Sequence, residues 1–210
     1  LGAGGAERYF LDIMHGLNSV GATKHVLVFL GQSGHTSNWV DRLPNNVTVI
    51  DFQLLCPVLG EDARILLTLK TIEACASSAR LHMKPSPYVH AFARRYLRLL
   101  KSCKRIYYRF TDGLRFLNGQ PICDSYGFEF VSSFIEDIDI VVADNRLIIE
   151  EDHRRLGINK SRWKLLYARQ VERINIKRIN RDNALTKPSI VWASRLDQQK
   201  RPQLLALIAT

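Results

Sequence analysis

Two segments hold residues whose types and spacing could do chemistry. Near its C-terminal end the chain reads Pro188-Ser189-Ile190-Val191-Trp192-Ala193-Ser194-Arg195-Leu196-Asp197-Gln198-Gln199-Lys200-Arg201-Pro202. An apolar run stops at Ser194, Arg195 follows, and Lys200 comes just before a new helix would start. A buried parallel strand ending in a loop with two fixed cations is suited to hold a diphosphate. The plainer alternative is two solvated cations after a strand. At the other end, Gly2-Ala3-Gly4-Gly5-Ala6-Glu7 opens a helical pattern. Glycines allow a tight turn and close approach to the backbone. The free amides and the positive end of the helix dipole then favour a phosphate, which makes Gly4 and Gly5 candidate diphosphate contacts. An ordinary turn would use the same residues, and a dinucleotide fingerprint would need a third glycine where Glu7 stands.

These groups need a scaffold. Ala6, Tyr9, Phe10, Ile13, Met14 and Leu17 recur at spacings of three and four, which predicts a helix with one apolar stripe. Gly21 ends it. Residues 25–30, 47–52, 81–83, 104–110, 138–143 and 163–168 read as strands, the fourth because it is β-branched and aromatic. Residues 63–80 and 88–101 read as helices. Asn145 caps a further helix that Gly157 stops after Leu156. Strands alternating with helices predict an α/β fold: a mostly parallel sheet with helices on both faces. From Gln170 to Lys187 the pattern turns polar and basic, as a linker would. The expected organisation is a domain over 1–169, a linker over 170–187, and over 188–210 the first strand and helix of a second domain that is otherwise absent.

Histidines and cysteines add little by spacing. His82 closes a short strand before Pro85, and strand ends face the ligand crevice of open α/β sheets. It either lines that crevice or is a hydrogen-bonded structural histidine. His35, in the loop Gly31-Gln32-Ser33-Gly34-His35-Thr36-Ser37, belongs to the same side. His15 and His153 fall in helices and read as structural. Cys56, Cys75, Cys103 and Cys123 match no metal-ligand spacing and read as reduced, mostly buried thiols.

Composition bounds the rest. The 210 residues are 46% hydrophobic, enough for a core, and no apolar run approaches the roughly 18 residues that span a bilayer. The net charge of +10 attracts anions: nucleic acid, acidic headgroups or phosphorylated small molecules. Arg94, Arg95, Arg98, Lys101, Lys104 and Arg105 concentrate part of it, or form a solvated face. No nucleic-acid motif is present, and the aromatics fall on core-facing positions.

Taken together, three segments resemble the retaining glycosyltransferases of family 4. They are Gly4-Gly5-Ala6-Glu7-Arg8-Tyr9 with Gly16-Leu17 and Gly21; Asp139-Ile140-Val141-Val142-Ala143-Asp144-Asn145 with Leu156-Gly157-Ile158; and Ser194 through Pro202. The resemblance implies a GT-B architecture, an N-terminal acceptor domain facing a C-terminal domain that binds a nucleotide-sugar. It implies a hexosyltransferase-type enzyme with no cofactor and no metal, in which Arg195 and Lys200 neutralise the leaving diphosphate. His82 and His35 would then touch the acceptor, a glycan or glycolipid. Family members carry a histidine, or a His-Asp pair, after the strand matching 104–110. Here those positions are Thr111 and Asp112, candidate catalytic residues by that correspondence, though Asp112 also suits a turn or a cap. The family's first strand and its later paired glutamates fall outside the numbering, so the chain by itself is expected to transfer no sugar. The implied setting is cytoplasmic surface-polysaccharide or lipopolysaccharide assembly, peripheral at the inner face of the plasma membrane. A Rossmann-type oxidoreductase and a non-catalytic basic module binding nucleic acid or anionic membrane are the rivals.

Overall fold

A computed structural model describes residues 5–21, 25–31, 40–75, 79–110, 114–117, 120–123, 126–157 and 160–167. Within them the protein is a Rossmann-like α/β fold. Helix α1 runs Gly5–Ser19 and is followed by strand β1, Val26–Phe29. Strand β2, Val47–Ile50, pairs with β1 in parallel, Val26 opposite Val47 and Phe29 opposite Ile50. Then come α2 (Phe52–Leu55), α3 (Glu61–Cys75), β3 (Arg80–Met83), α4 (Pro87–Tyr96) and β4 (Lys104–Arg109). A short antiparallel pair, β5 (Leu114–Leu117) with β6 (Gln120–Cys123), leads to α5 (Tyr126–Phe134). Last are β7 (Ile140–Ala143), α6 (Arg146–Leu156) and β8 (Trp163–Leu165). Strands β3, β4, β7 and β8 form one sheet in that order, every pairing parallel. The expected linker and second-domain segments, 170–210, lie outside the described residues.

Alternation along β4 decides which helix covers which face. Tyr107 is buried with Met83, Val141 and Trp163 against Ala93 and Leu97, from α4 and the turn after it, and against Phe130 and Val131 of α5. Its ring stacks on Phe130 at 4.1 Å between centroids. Ile106 and Tyr108 point the other way, onto Tyr9 of α1, with Val142 beside them. Both faces of the sheet are therefore apolar and covered, as a parallel sheet requires. Strand β1 reaches this body through Phe29, which packs with Leu81 of β3 on the cluster of Ile65, Leu69 and Phe92 from α3 and α4. Just past β1, Gly31 lies so close to α4 that a Cβ there would stand 2.5 Å from the Tyr88 Cβ.

Local signals set most boundaries. Asn145 accepts from the Ile148 amide at 3.1 Å to cap α6, and Gly157, at φ +63°, stops it. Ser86 caps α4, with Pro87 in its first turn. Several expectations are corrected. Phe52 does not extend β2; the Asp51 carboxylate accepts from the Gln53 and Leu54 amides at 2.9 and 3.1 Å and starts α2. The helix expected over 63–80 starts at Glu61 and ends at Cys75. The one expected to reach Lys101 ends at Tyr96 and passes into a 3-10 turn, Leu97–Leu99. Cys103 is buried, Cys56 half-buried and Cys75 exposed. The basic cluster is partly neutralised: Arg95 pairs with Asp62, Arg98 with Asp137 and Arg105 with Asp139.

Candidate functional site

The C-terminal ends of β3, β4, β7 and β8 meet under α1, and the charged residues just beyond them form the candidate site. Lys84 follows β3, and its ammonium is ion-paired to Glu7 in the first turn of α1. Burial by itself would raise the Glu7 carboxyl. The hydrogen bond and charge of Lys84 outweigh that and hold it below its ordinary range. Asp144 follows β7, and burial holds its carboxyl above the usual carboxylate range. One turn along α1, the Tyr9 hydroxyl donates to the Leu166 carbonyl, past the end of β8, at 2.5 Å. Burial and the neighbouring Asp144 charge push that phenol up to about 12. A half-buried cation, a carboxylate of raised basicity and the start of a helix thus converge at the strand ends. Open α/β sheets bind ligands at this edge. Lys84 suits an anion, and Asp144 can accept a hydrogen bond from a hydroxyl.

Below this rim the floor is aromatic. Phe10 packs edge-on to Tyr108 and Phe110 at 4.6 and 6.0 Å, and Tyr9 to Phe110 at 5.2 Å. His82 belongs to this layer. Its Nδ1 lies 2.8 Å from the Tyr108 hydroxyl, and its ring stacks on that phenol at 5.8 Å. Burial, with a smaller contribution from the Arg80 charge, pushes the His82 pKa down to about 4, so the imidazole is neutral at neutral pH. The strand-end position itself is held by Lys84, two residues further along the same face.

On the opposite face the end of β4 is fixed by charge. Arg109, fully buried, donates to both carboxylate oxygens of Asp152 on α6, from Nε at 3.0 Å and from Nη2 at 2.6 Å. The Trp163 indole N–H points at the same carboxylate from β8 at 3.4 Å. Arg109 is also the last β4 residue in register with β7, opposite Ala143.

Of the sequence-derived candidates, His82 lies in the floor and Gly5 opens α1 over the strand ends. Thr111, Asp112, Gly4, His35, Arg195 and Lys200 lie outside the described residues. His15 and His153 lie in helices as expected, α1 and α6; His15 Nε2 meets the Arg42 carbonyl oxygen at 2.8 Å, and His153 is buried edge-on to Trp163. Sequence reasoning did not single out Lys84, Asp144, Arg109 or Asp152. The first two were findable, since each is the first charged residue after a strand. Among the described residues no group of histidine, cysteine or acidic side chains is arranged to hold a metal ion, and no helix is long and apolar enough to cross a membrane.

Fold and site together define an α/β protein of Rossmann-like type with charged residues gathered at its strand ends. No known protein family, curated protein or solved structure matches the chain.

Proposed function

We propose that residues 1–169 form the acceptor-side domain of a retaining, hexosyltransferase-type glycosyltransferase, and that 188–210 open its nucleotide-sugar domain. The observation that carries this reading is the arrangement at the strand ends. The helix that follows the glycine-rich segment packs on β4 through Tyr9, ion-pairs Lys84 past the end of β3 through Glu7, and brings Tyr9 near the Asp144 charge past the end of β7. The three motif segments quoted above support it. In this reading a sugar passes from a nucleotide diphosphate to a hydroxyl of a glycan or glycolipid. Lys84 and Asp144 hold the acceptor's anionic and hydroxyl groups. Arg195 and Lys200 meet the charge that grows on the leaving diphosphate, where fixed cations lower the barrier. The work is cytoplasmic, at the inner face of the plasma membrane.

The oxidoreductase rival is disfavoured by Glu7, whose carboxylate occupies the helix start in an ion pair with Lys84. The basic-module rival is disfavoured by the acidic partners of Arg95, Arg98 and Arg105.

The test is transfer from a panel of uridine, guanosine and adenosine diphosphate sugars by the protein extended through its donor domain. Arg195→Ala and Lys200→Ala are each expected to cut turnover more than about tenfold, since a charge-assisted contact contributes about 1.5–3 kcal/mol. Wild-type turnover in both variants would remove the diphosphate role. Stabilisation by nicotinamide nucleotides, with none from nucleotide-sugars, would favour the oxidoreductase.

A further inference from the structure

We infer that Arg109 and Asp152 are positioning residues for the charged strand ends: their buried bidentate pair sets where β4 and β7 end relative to α6. Both side chains have no solvent exposure. An ion pair so placed is a poor source of stability, because desolvating two charges offsets most of their attraction, and an apolar pair of similar volume serves a core as well. What the pair supplies instead is geometry. A guanidinium fork meets a carboxylate in one plane and at one spacing, so it tolerates little sliding.

Its location is where such a constraint matters. Arg109 and Ala143 are the last residues in register between the two central strands of the sheet, and the next residues are Phe110 and Asp144. Phe110 belongs to the aromatic floor under α1, and Asp144 supplies the carboxylate at the rim. Asp152 lies on α6, whose cap Asn145 follows Asp144 directly. The pair therefore closes a loop: β4 to Arg109, Arg109 to Asp152, back along α6 to Asn145 and Asp144, and across the register to β4. Trp163 ties β8 into the same carboxylate. Sliding β4 against α6 would move Phe110 and Asp144 in opposite directions at the strand ends.

The inference rests on the proposed transferase reading only for the name of the reaction; the mechanical claim has its own readout. The variant is the double substitution Arg109→Met with Asp152→Leu, which leaves no lone buried charge. It is expected to fold with a melting temperature near wild type. Amide hydrogen exchange over residues 104–110 and 140–147 is expected to rise at least about fivefold, as local opening replaces a fixed strand end. In the protein extended through its donor domain, kcat is expected to fall at least about tenfold, with the donor KM changed less than about threefold, because misplacement costs rate more than binding. Unchanged exchange overturns the inference whatever the activity. Raised exchange with wild-type kcat also overturns it. Raised exchange in a protein that transfers no sugar even as wild type supports the mechanical claim and removes the transferase reading. If the double variant does not fold, Arg109→Lys, which keeps the buried charge but loses the planar fork, is read by the same exchange criterion.

Discussion

The two ends of the four-stranded sheet handle charge in opposite ways. At the N-terminal ends of β4 and β7, the pairs Arg98–Asp137, Arg105–Asp139 and Arg162–Glu136 each keep one partner open to water: Arg98 and Glu136 are about four-fifths exposed and Asp139 about two-fifths. At the C-terminal ends, Arg109 and Asp152 are sealed, Glu7 is nearly so, and His82 sits uncharged among aromatic rings. Water solvates and screens the first set, so those pairs are replaceable. The second set has no such compensation, so each charge there depends on its partner. Function, on the reading above, lies at the end where charge is costly.

That contrast can be broken in three places. The largest effect is expected from Asp152→Ala, which leaves Arg109 charged, buried and unpaired. It should lower unfolding stability by about 3–5 kcal/mol in urea titration. A loss under about 1 kcal/mol would mean that water reaches the pair.

Next is the pH dependence at His82. Its folded pKa of about 4 lies below the ordinary 6.5. The unfolded chain therefore binds the proton first as pH falls, and the stabilisation is complete above pH 6.5 and lost progressively down to about 4. The loss over that window is on the order of 2–3 kcal/mol. His82→Gln should flatten this segment of the stability–pH curve, and an unchanged slope would assign it to other groups. The smallest effect is expected at the opposite end. Arg98→Ala should shift stability by no more than about 0.5 kcal/mol, and that shift should shrink further in salt. A change as large as that of Asp152→Ala would end the comparison.

What could be read from the chain follows the range of each interaction. Asn145 and Gly157 lie at the ends of the helix they bound, so α6 was placed to the residue. Strand β7 is an unbroken apolar run and was found almost in full. The β5–β6 pair carries a local signal too, Asn118-Gly119 between apolar flanks, which the strands expected over 104–110 and 138–143 do not reach. Helix α5 is harder. Its Tyr126, Phe128, Phe130 and Phe134 are weak helix formers, and the segment is held by packing on Tyr107 and Leu97 instead. In the site, the glycine loop and the strand-end rule located the edge where the charged residues gather. The Arg109–Asp152 pair was not legible. A cation within the strand read over 104–110 gives no sign of a buried partner, and that partner lies 43 residues away. Separations of 33 to 39 residues hid the partners of Arg95, Arg98 and Arg105 in the same way.

Gly31 gives the fold a constraint of a different kind. Its backbone passes α4 so closely that the first carbon of any side chain would fall inside the Tyr88 side chain, at 2.5 Å from Cβ and 2.6 Å from Cγ. The Cβ is fixed by the backbone of α4, so no rotamer of the tyrosine clears the contact. In a saturation library this position would stand as a nearly empty column beside tolerant neighbours, on grounds of volume rather than chemistry. A variant that regained room by trimming Tyr88 would also forfeit the phenol's 2.8 Å hydrogen bond to Thr68 on α3. Residues 31, 68 and 88 are thus expected to change together or not at all as such sequences diverge, a covariation set by one close approach of backbone to helix.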